Sequence, residues 1–212
     1  MAQDGFEQVE LVVRTMAQTA VDNETYFCDL DAVVGDGDFG YSMARGFEIV
    51  IAQWDDLDRT DVATFLRKVA VILTSRIGGT SGPIWGTAFL RAGGAVADAD
   101  GIGPDQAVAM LRAANEGVKQ RGGSDVGDKT LLDSLVPATD ALEQRIQAGD
   151  GGKAALAATA ATAAEAAEAT RPMLAKRGRA AYTGERSIGT LDAGAVGVAV
   201  MFERVAEAWP EG

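Results

Sequence analysis

The stretch VVGDGDFGYSMARGFEIVIAQW (33–54) admits two folds. Read as strand, glycine loop and helix, GDGDFG (35–40) has the G-x-G-x-x-G spacing of a dinucleotide-binding βαβ unit, with AVV before it and Asp55 about 20 residues past its first glycine. Read as an acidic loop that opens a helix, the same stretch puts Met43, Phe47, Val50 and Ile51 at helical spacing. The first reading places Asp36 and Asp38 where a pyrophosphate must meet bare backbone N–H groups, and no succession of β-α units follows. Two other patterns fail as well. The D-F-G of protein kinases needs an H-R-D element that a chain without histidine cannot supply. An EF-hand counted from Asp36 puts Tyr41 at its glycine and Phe47 at its bidentate glutamate.

Outward from this loop the pattern is helical. Residues 6–21 place Val9, Val12, Val13 and Met16 on one face, with Asp4 as a candidate N-cap, and 61–77 and 85–99 repeat the pattern. The glycine pair Gly93–Gly94 in the last of these allows a close helix contact. Further helices are expected at 104–121, 129–148, 152–169 and 194–208. The alanine-rich run 153–170 reads as a closely packed structural helix, since alanine has the highest helix propensity and small side chains let helices approach. Strand signals are nearly absent, and 1–212 reads as a single all-α domain.

Composition narrows the chemistry. Lys and Arg number 19 against 31 Asp and Glu, a net charge of −12, which disfavours nucleic acid and anionic membrane surfaces as partners. Cys28 is the only cysteine, the start lacks signal-peptide character, and no apolar run reaches membrane-spanning length, so a cytoplasmic protein is expected. The absence of histidine removes Ser-His-Asp and Cys-His catalysis, histidine metal sites and a phosphohistidine on this chain.

Four connections are unusually rich in glycine: 33–40, 77–83, 120–130 and 176–194. An antiparallel bundle places alternate connections at one end, so the four can converge. In the first, Gly35 and Gly37 can bend the chain to gather Asp31, Asp36 and Asp38; such a cluster is either a solvated acidic turn or a site for a hard divalent cation such as Mg²⁺. IGGTSGP (77–83) offers N–H donors and the Thr80–Ser81 hydroxyls at a helix start, suited to phosphate oxygens, or is simply a turn. GDKT (127–130) puts Lys129 at a helix start with Asp133 one turn on, which reads as capping plus an exposed i,i+4 pair. KRGRAAYTGER (176–186) gathers Lys176, Arg177, Arg179 and Arg186 as either a solvated basic loop or a phosphate clamp.

With LDAVVGDGDFGYSMARGF (30–47), GGTSGPIWGTAFLRA (78–92), RGGSDVGDKTLLDSLVPA (121–138) and GRAAYTGERSIGTLDAGA (178–195) in one order, the sequence closely resembles the nucleotide-binding L subunit of dihydroxyacetone kinases. The resemblance implies an antiparallel barrel of eight helices with ADP or ATP bound in the loops at one end. It implies that Asp31, Asp36 and Asp38 hold Mg²⁺, two ions bridging the nucleotide phosphates. By position, Phe39, Gly40, Tyr41 and Ser42 flank the phosphates beside Thr80 and Ser81, and Gly122 and Leu131 line the adenine side. Arg179 and the turn Asp192, Ala193, Gly194 close over the nucleotide, with Arg179 joining the aspartates in catalysis.

The ketose in this family sits on a separate K subunit, often linked to that subunit's histidine, so the implied activity is transfer of a phosphoryl group across a subunit interface, in a homodimer or hetero-oligomer. Phosphate can come from exchangeable ATP, or from a phosphotransferase-system phosphocarrier that recharges a resident ADP. Phe39 stands where the family has histidine, Ser42 where it has asparagine and Ala193 where proline is common. Loss of that histidine donor tips the expectation towards ATP, and leaves a non-catalytic nucleotide-sensing protein as the alternative from another class.

Overall fold

The computed structural model describes residues 4–211. Among them are nine α-helices: α1 (Phe6–Asp22), α2 (Glu24–Ala32), α3 (Phe39–Ala52), α4 (Val62–Arg76), α5 (Ser81–Gly94), α6 (Pro104–Gly122), α7 (Leu132–Gln147), α8 (Gly152–Glu168) and α9 (Ala193–Ala208). Two 3₁₀ segments, Trp54–Asp56 and Arg179–Ser187, lie in connections. The only β pairing among the described residues is an isolated bridge between Asp4 and Gly101.

Eight of these helices close a ring. α1 packs on α3, then each helix from α3 to α9 packs on the next, and α9 returns to α1. Consecutive members run in opposite directions, most of them joined by short connections, while α1 reaches α3 through α2 and α8 reaches α9 through the long 169–192 connection. The ring is filled by Val13, Phe47, Phe65, Val69, Leu73 and their neighbours, with Phe47 edge-on to Trp85 and Phe89 at centroid distances of 6.5 and 6.4 Å. α2 lies outside the ring against α3 and α9. It buries a single residue, Phe27, which is too little for a hydrophobic period to betray it in the sequence.

Helix ends follow local chemistry. Asp61 caps α4, its Oδ1 accepting the Thr64 N–H at 2.6 Å. Asp4 is not the cap of α1. Gly5 holds that position with φ 76°, and a Cβ there would stand 2.1 Å from the Ile102 carbonyl oxygen, so the chain turns to let Asp4 O accept the Ile102 N–H at 2.8 Å. α5 starts at Ser81 and takes Pro83 into its first turn, where no intrahelical N–H is required. Gly93 of α5 makes the expected close contact, since a Cβ there would lie 3.1 Å from Leu66 Cβ, whereas Gly94 faces open space. The alanine-rich α8 buries Ala155, Leu156, Thr159, Ala163 and Ala167 and packs on α7 and α9.

This topology sends α3, α5, α7 and α9 away from the same end at which α4, α6 and α8 arrive. The four glycine-rich connections therefore share one rim.

Candidate functional site

The rim begins with the acidic loop. Asp31 lies in the last turn of α2, Asp36 in the loop, and Asp38 directly before α3. One oxygen from each lies within 4.8 Å of the other two. Gly37 takes φ 73°, and Gly35 must lack a side chain, because a Cβ would sit 2.2 Å from Asp31 Oδ1. The Asp38 N–H donates to Asp31 Oδ2 at 3.1 Å. Three carboxylates this close repel one another unless cations intervene. Within the chain, Arg179 supplies one charge: its guanidinium pairs with Asp36 and lies 3.6 Å from Asp38 Oδ2. The balance left suits a divalent cation with oxygen ligands. Asp36, Asp38 and Arg179 are all exposed, so ligand access is open.

Of the four residues after the aspartates, one faces the opposite loop. Ser42 Oγ lies 3.1 Å from where a Cβ of Gly78 would be. Gly40 instead lets α3 approach α2, since a Cβ there would be 2.0 Å from Glu24 O. The Tyr41 N–H meets Cys28 Sγ at 3.2 Å while its ring lies under the Arg45 guanidinium at 5.1 Å. The Phe39 ring packs on Phe27 (centroids 5.9 Å apart) and against Gly197. Phe39 thus spends its side chain on packing, and only its backbone is offered to the rim.

Across the loop, Thr80 and Ser81 begin α5, and Gly79 (φ 61°) lies beside the Arg179 guanidinium. An anion there meets the N-terminal end of a helix on one side and the acidic loop on the other. Gly122, at the end of α6, approaches Ile84, and Gly194 approaches Leu131, so both ends of the 123–131 connection join the rim. Asp192 caps α9 through Ala195 N–H at 2.7 Å. Burial pushes its carboxyl up to about 7; the Ala195 N–H and Lys129 oppose this, while Asp133 and Asp31 add to it. Ala193 follows as the first residue of α9.

Lys129 departs from its expected exposed pair. It is 2% exposed and has φ 61°, a left-handed conformation that costs a non-glycine residue about 1 kcal/mol or more. Asp133 is occupied elsewhere, accepting Gly127 N–H at 2.5 Å and Thr130 N–H at 2.7 Å. The α7 helix therefore starts at Leu132 rather than near 129. The Lys129 ammonium donates to the carbonyls of Met173 (3.1 Å), Thr190 (2.8 Å) and Ser187. Burial pulls its pKa down, with Asp192 acting in the opposite sense, but three carbonyl acceptors favour the charged form. Those acceptors lie 44 to 61 residues along the chain, so no local signal announces this lysine.

The geometry can be set beside known proteins. Residues 33–207 match the model of the DAK2 domain family. The chain is 37% identical over 186 residues to the PEP-dependent dihydroxyacetone kinase ADP-binding subunit DhaL of Escherichia coli, covering 88% of this chain and 89% of that one. It is 35% identical to the ADP-binding subunit DhaL of PEP-dependent dihydroxyacetone kinase 1 of Listeria innocua, over 85% of both chains. An L-erythrulose 1-kinase of Mycolicibacterium smegmatis is 38% identical over 92% of this chain, which spans 34% of that longer protein. The dihydroxyacetone kinase of C. freundii, solved in native form, superposes with a TM-score of 0.75 at 28% identity, over 93% of this chain and 34% of that one. The same kinase in complex with AMP-PNP and Mg²⁺ gives 0.74. Sequence and helical ring agree: the chain belongs to the DAK2 domain family.

Proposed function

We propose that this chain is the nucleotide- and Mg²⁺-binding subunit of a dihydroxyacetone-type kinase, passing a phosphoryl group to a small ketose held by a separate K subunit in the cytosol. The observation that carries the reading is the convergence of Asp31, Asp36 and Asp38 with Arg179 beside the start of α5. The three carboxylates would hold Mg²⁺, up to two ions, which would supply positive charge against the phosphate oxygens during transfer. Thr80, Ser81 and Ser42 supply hydroxyl and N–H contacts to those oxygens. Gly122 and Leu131 flank the base, and the Asp192–Gly194 turn closes the opposite side.

Arg179 has the decisive charge. Its guanidinium lies against Asp36 and Asp38 and would be free to meet the phosphoryl oxygens if cations took its place on the carboxylates. There it stabilises charge as the bond to the nucleotide breaks and the bond to the ketose hydroxyl forms. With no histidine, this chain neither anchors the ketose covalently nor carries phosphohistidine, so both tasks fall to other proteins.

The phosphate source is best read as a phosphotransferase-system carrier acting on a retained ADP. Relatives of similar length are named PEP-dependent, ADP-binding subunits. The case for ATP rests on Phe39 loosening the nucleotide, and its ring is turned into the packing between α2 and α9.

The test mixes the chain with a K subunit, Mg²⁺, ADP and dihydroxyacetone, with either ATP or a phosphoenolpyruvate-charged carrier, and measures triose phosphate. Formation with the carrier at catalytic amounts of ADP supports the reading, and formation with ATP alone reverses the assignment of the donor. Mg²⁺-dependent ADP binding without transfer from either donor, although both subunits fold and associate, identifies a nucleotide-binding homologue instead.

A further inference from the structure

The geometry points to Lys129 as a positioning residue for this transfer: its buried ammonium pins together the two feet of the 171–192 crossing and so sets where Arg179 reaches. Met173 precedes the basic segment and Ser187 and Thr190 follow it, yet carbonyls from all three meet on one nitrogen. Arg179 lies on the segment between these feet. The three N–H donors of a charged amine are thereby accounted for. A group so fully engaged has no donor left for phosphate, which separates its role from that of Arg179.

The lysine is aimed by its own turn rather than by the loop it holds. Asp133 accepts N–H groups on both sides of it, from Gly127 and Thr130, and fixes the left-handed backbone between. The same turn grips the crossing once more through Asp128 O, which accepts the Lys176 N–H at 3.0 Å. The α6–α7 connection is therefore a rigid post, and the crossing is a strap tied to it at both feet. The side chains of Lys176 and Arg177 reach the post as well, donating to the carbonyls of Gly127 and Gly123 at 2.8 Å each, and beyond them Arg179 and Arg186 are exposed. The inference rests on reading Arg179 as the residue that closes over the phosphates, but the tie can be measured without a nucleotide.

Limited trypsin digestion of the full chain reads the strap through cleavage at Arg177, Arg179 and Arg186. In Lys129→Met, cleavage there should rise about tenfold or more at a temperature where the far-ultraviolet helical signal is intact. Calorimetric titration with ADP and Mg²⁺ should show a dissociation constant raised about tenfold, and Lys129→Met combined with Arg179→Ala should bind no more weakly than Arg179→Ala alone. A merely stabilising lysine gives losses that multiply in the double variant. Unchanged cleavage in Lys129→Met, or multiplying losses, overturns the inference. Where Lys129→Met fails to fold, Lys129→Gln, which keeps N–H donors on a shorter and uncharged side chain, replaces it; a cleavage rise of about twofold or more is expected, and no rise overturns the inference. If the wild type binds no ADP with Mg²⁺, the nucleotide reading falls and the cleavage ratio alone decides the tie.

Discussion

Two charged regions share the rim and treat charge in opposite ways. The acidic corner leaves Asp36 and Asp38 exposed, crowded with Asp31 and balanced by the single guanidinium of Arg179. A few residues along the rim, Lys129 is buried and has an acceptor for each of its donors. A satisfied buried charge holds structure, because its desolvation is offset by fixed partners. An exposed, unsatisfied cluster holds nothing together and is available to a ligand. In the proposed function this contrast separates the group that would bind from the group that would position.

Substitutions can break that contrast in order of effect. Arg179→Ala should weaken ADP binding by about tenfold or more and lower the rate of phosphoryl transfer by about 10³-fold, with little change in melting temperature, because its charge meets the bound phosphates and matters most as the phosphoryl group moves. Steady-state triose phosphate formation beside a thermal melt checks both halves. Lys129→Met should do the reverse in stability, costing about 3 kcal/mol in urea unfolding, since it strands carbonyls that are buried with the lysine.

Asp192 sharpens the comparison from the middle, sitting between the two regions. Its folded pKa of about 7 lies above the ordinary 3.8, so between these values the folded chain holds a proton that the unfolded chain has released. Its contribution to stability is thus greatest below about pH 4 and declines as pH rises towards 7. Metal-free urea unfolding across that window should show the slope, and Asp192→Asn, which keeps a side-chain oxygen to cap α9, should flatten it. The smallest effect belongs to a control at the opposite end: Asp61→Ala removes the cap of α4 and should cost about 1 kcal/mol without altering ADP binding.

Most of this architecture was legible in the sequence because it rests on local periodicity. Helices α1 and α3 to α9 announce themselves through apolar spacing and glycine breaks, and the aspartates stand out because the glycines among them let three carboxylates be drawn together, as they are. What escaped depends on distant residues. α2 buries only Phe27 and has no period to read. Lys129 looks like an exposed partner of Asp133 until the chain returns with Met173, Ser187 and Thr190. Phe39 reads as a lost donor beside phosphate, yet its ring packs on Phe27 and against Gly197, contacts that exist only once α2 and α9 are packed beside it.

The central claim is that the acidic corner recognises nucleotide through metal. Calorimetric titration of ADP into the wild type and into Asp36→Asn, each with Mg²⁺ and with the metal chelated, tests it most directly. Heat of binding is expected only for the wild type with Mg²⁺. Equal ADP affinity without metal, or binding untouched by Asp36→Asn, would contradict it.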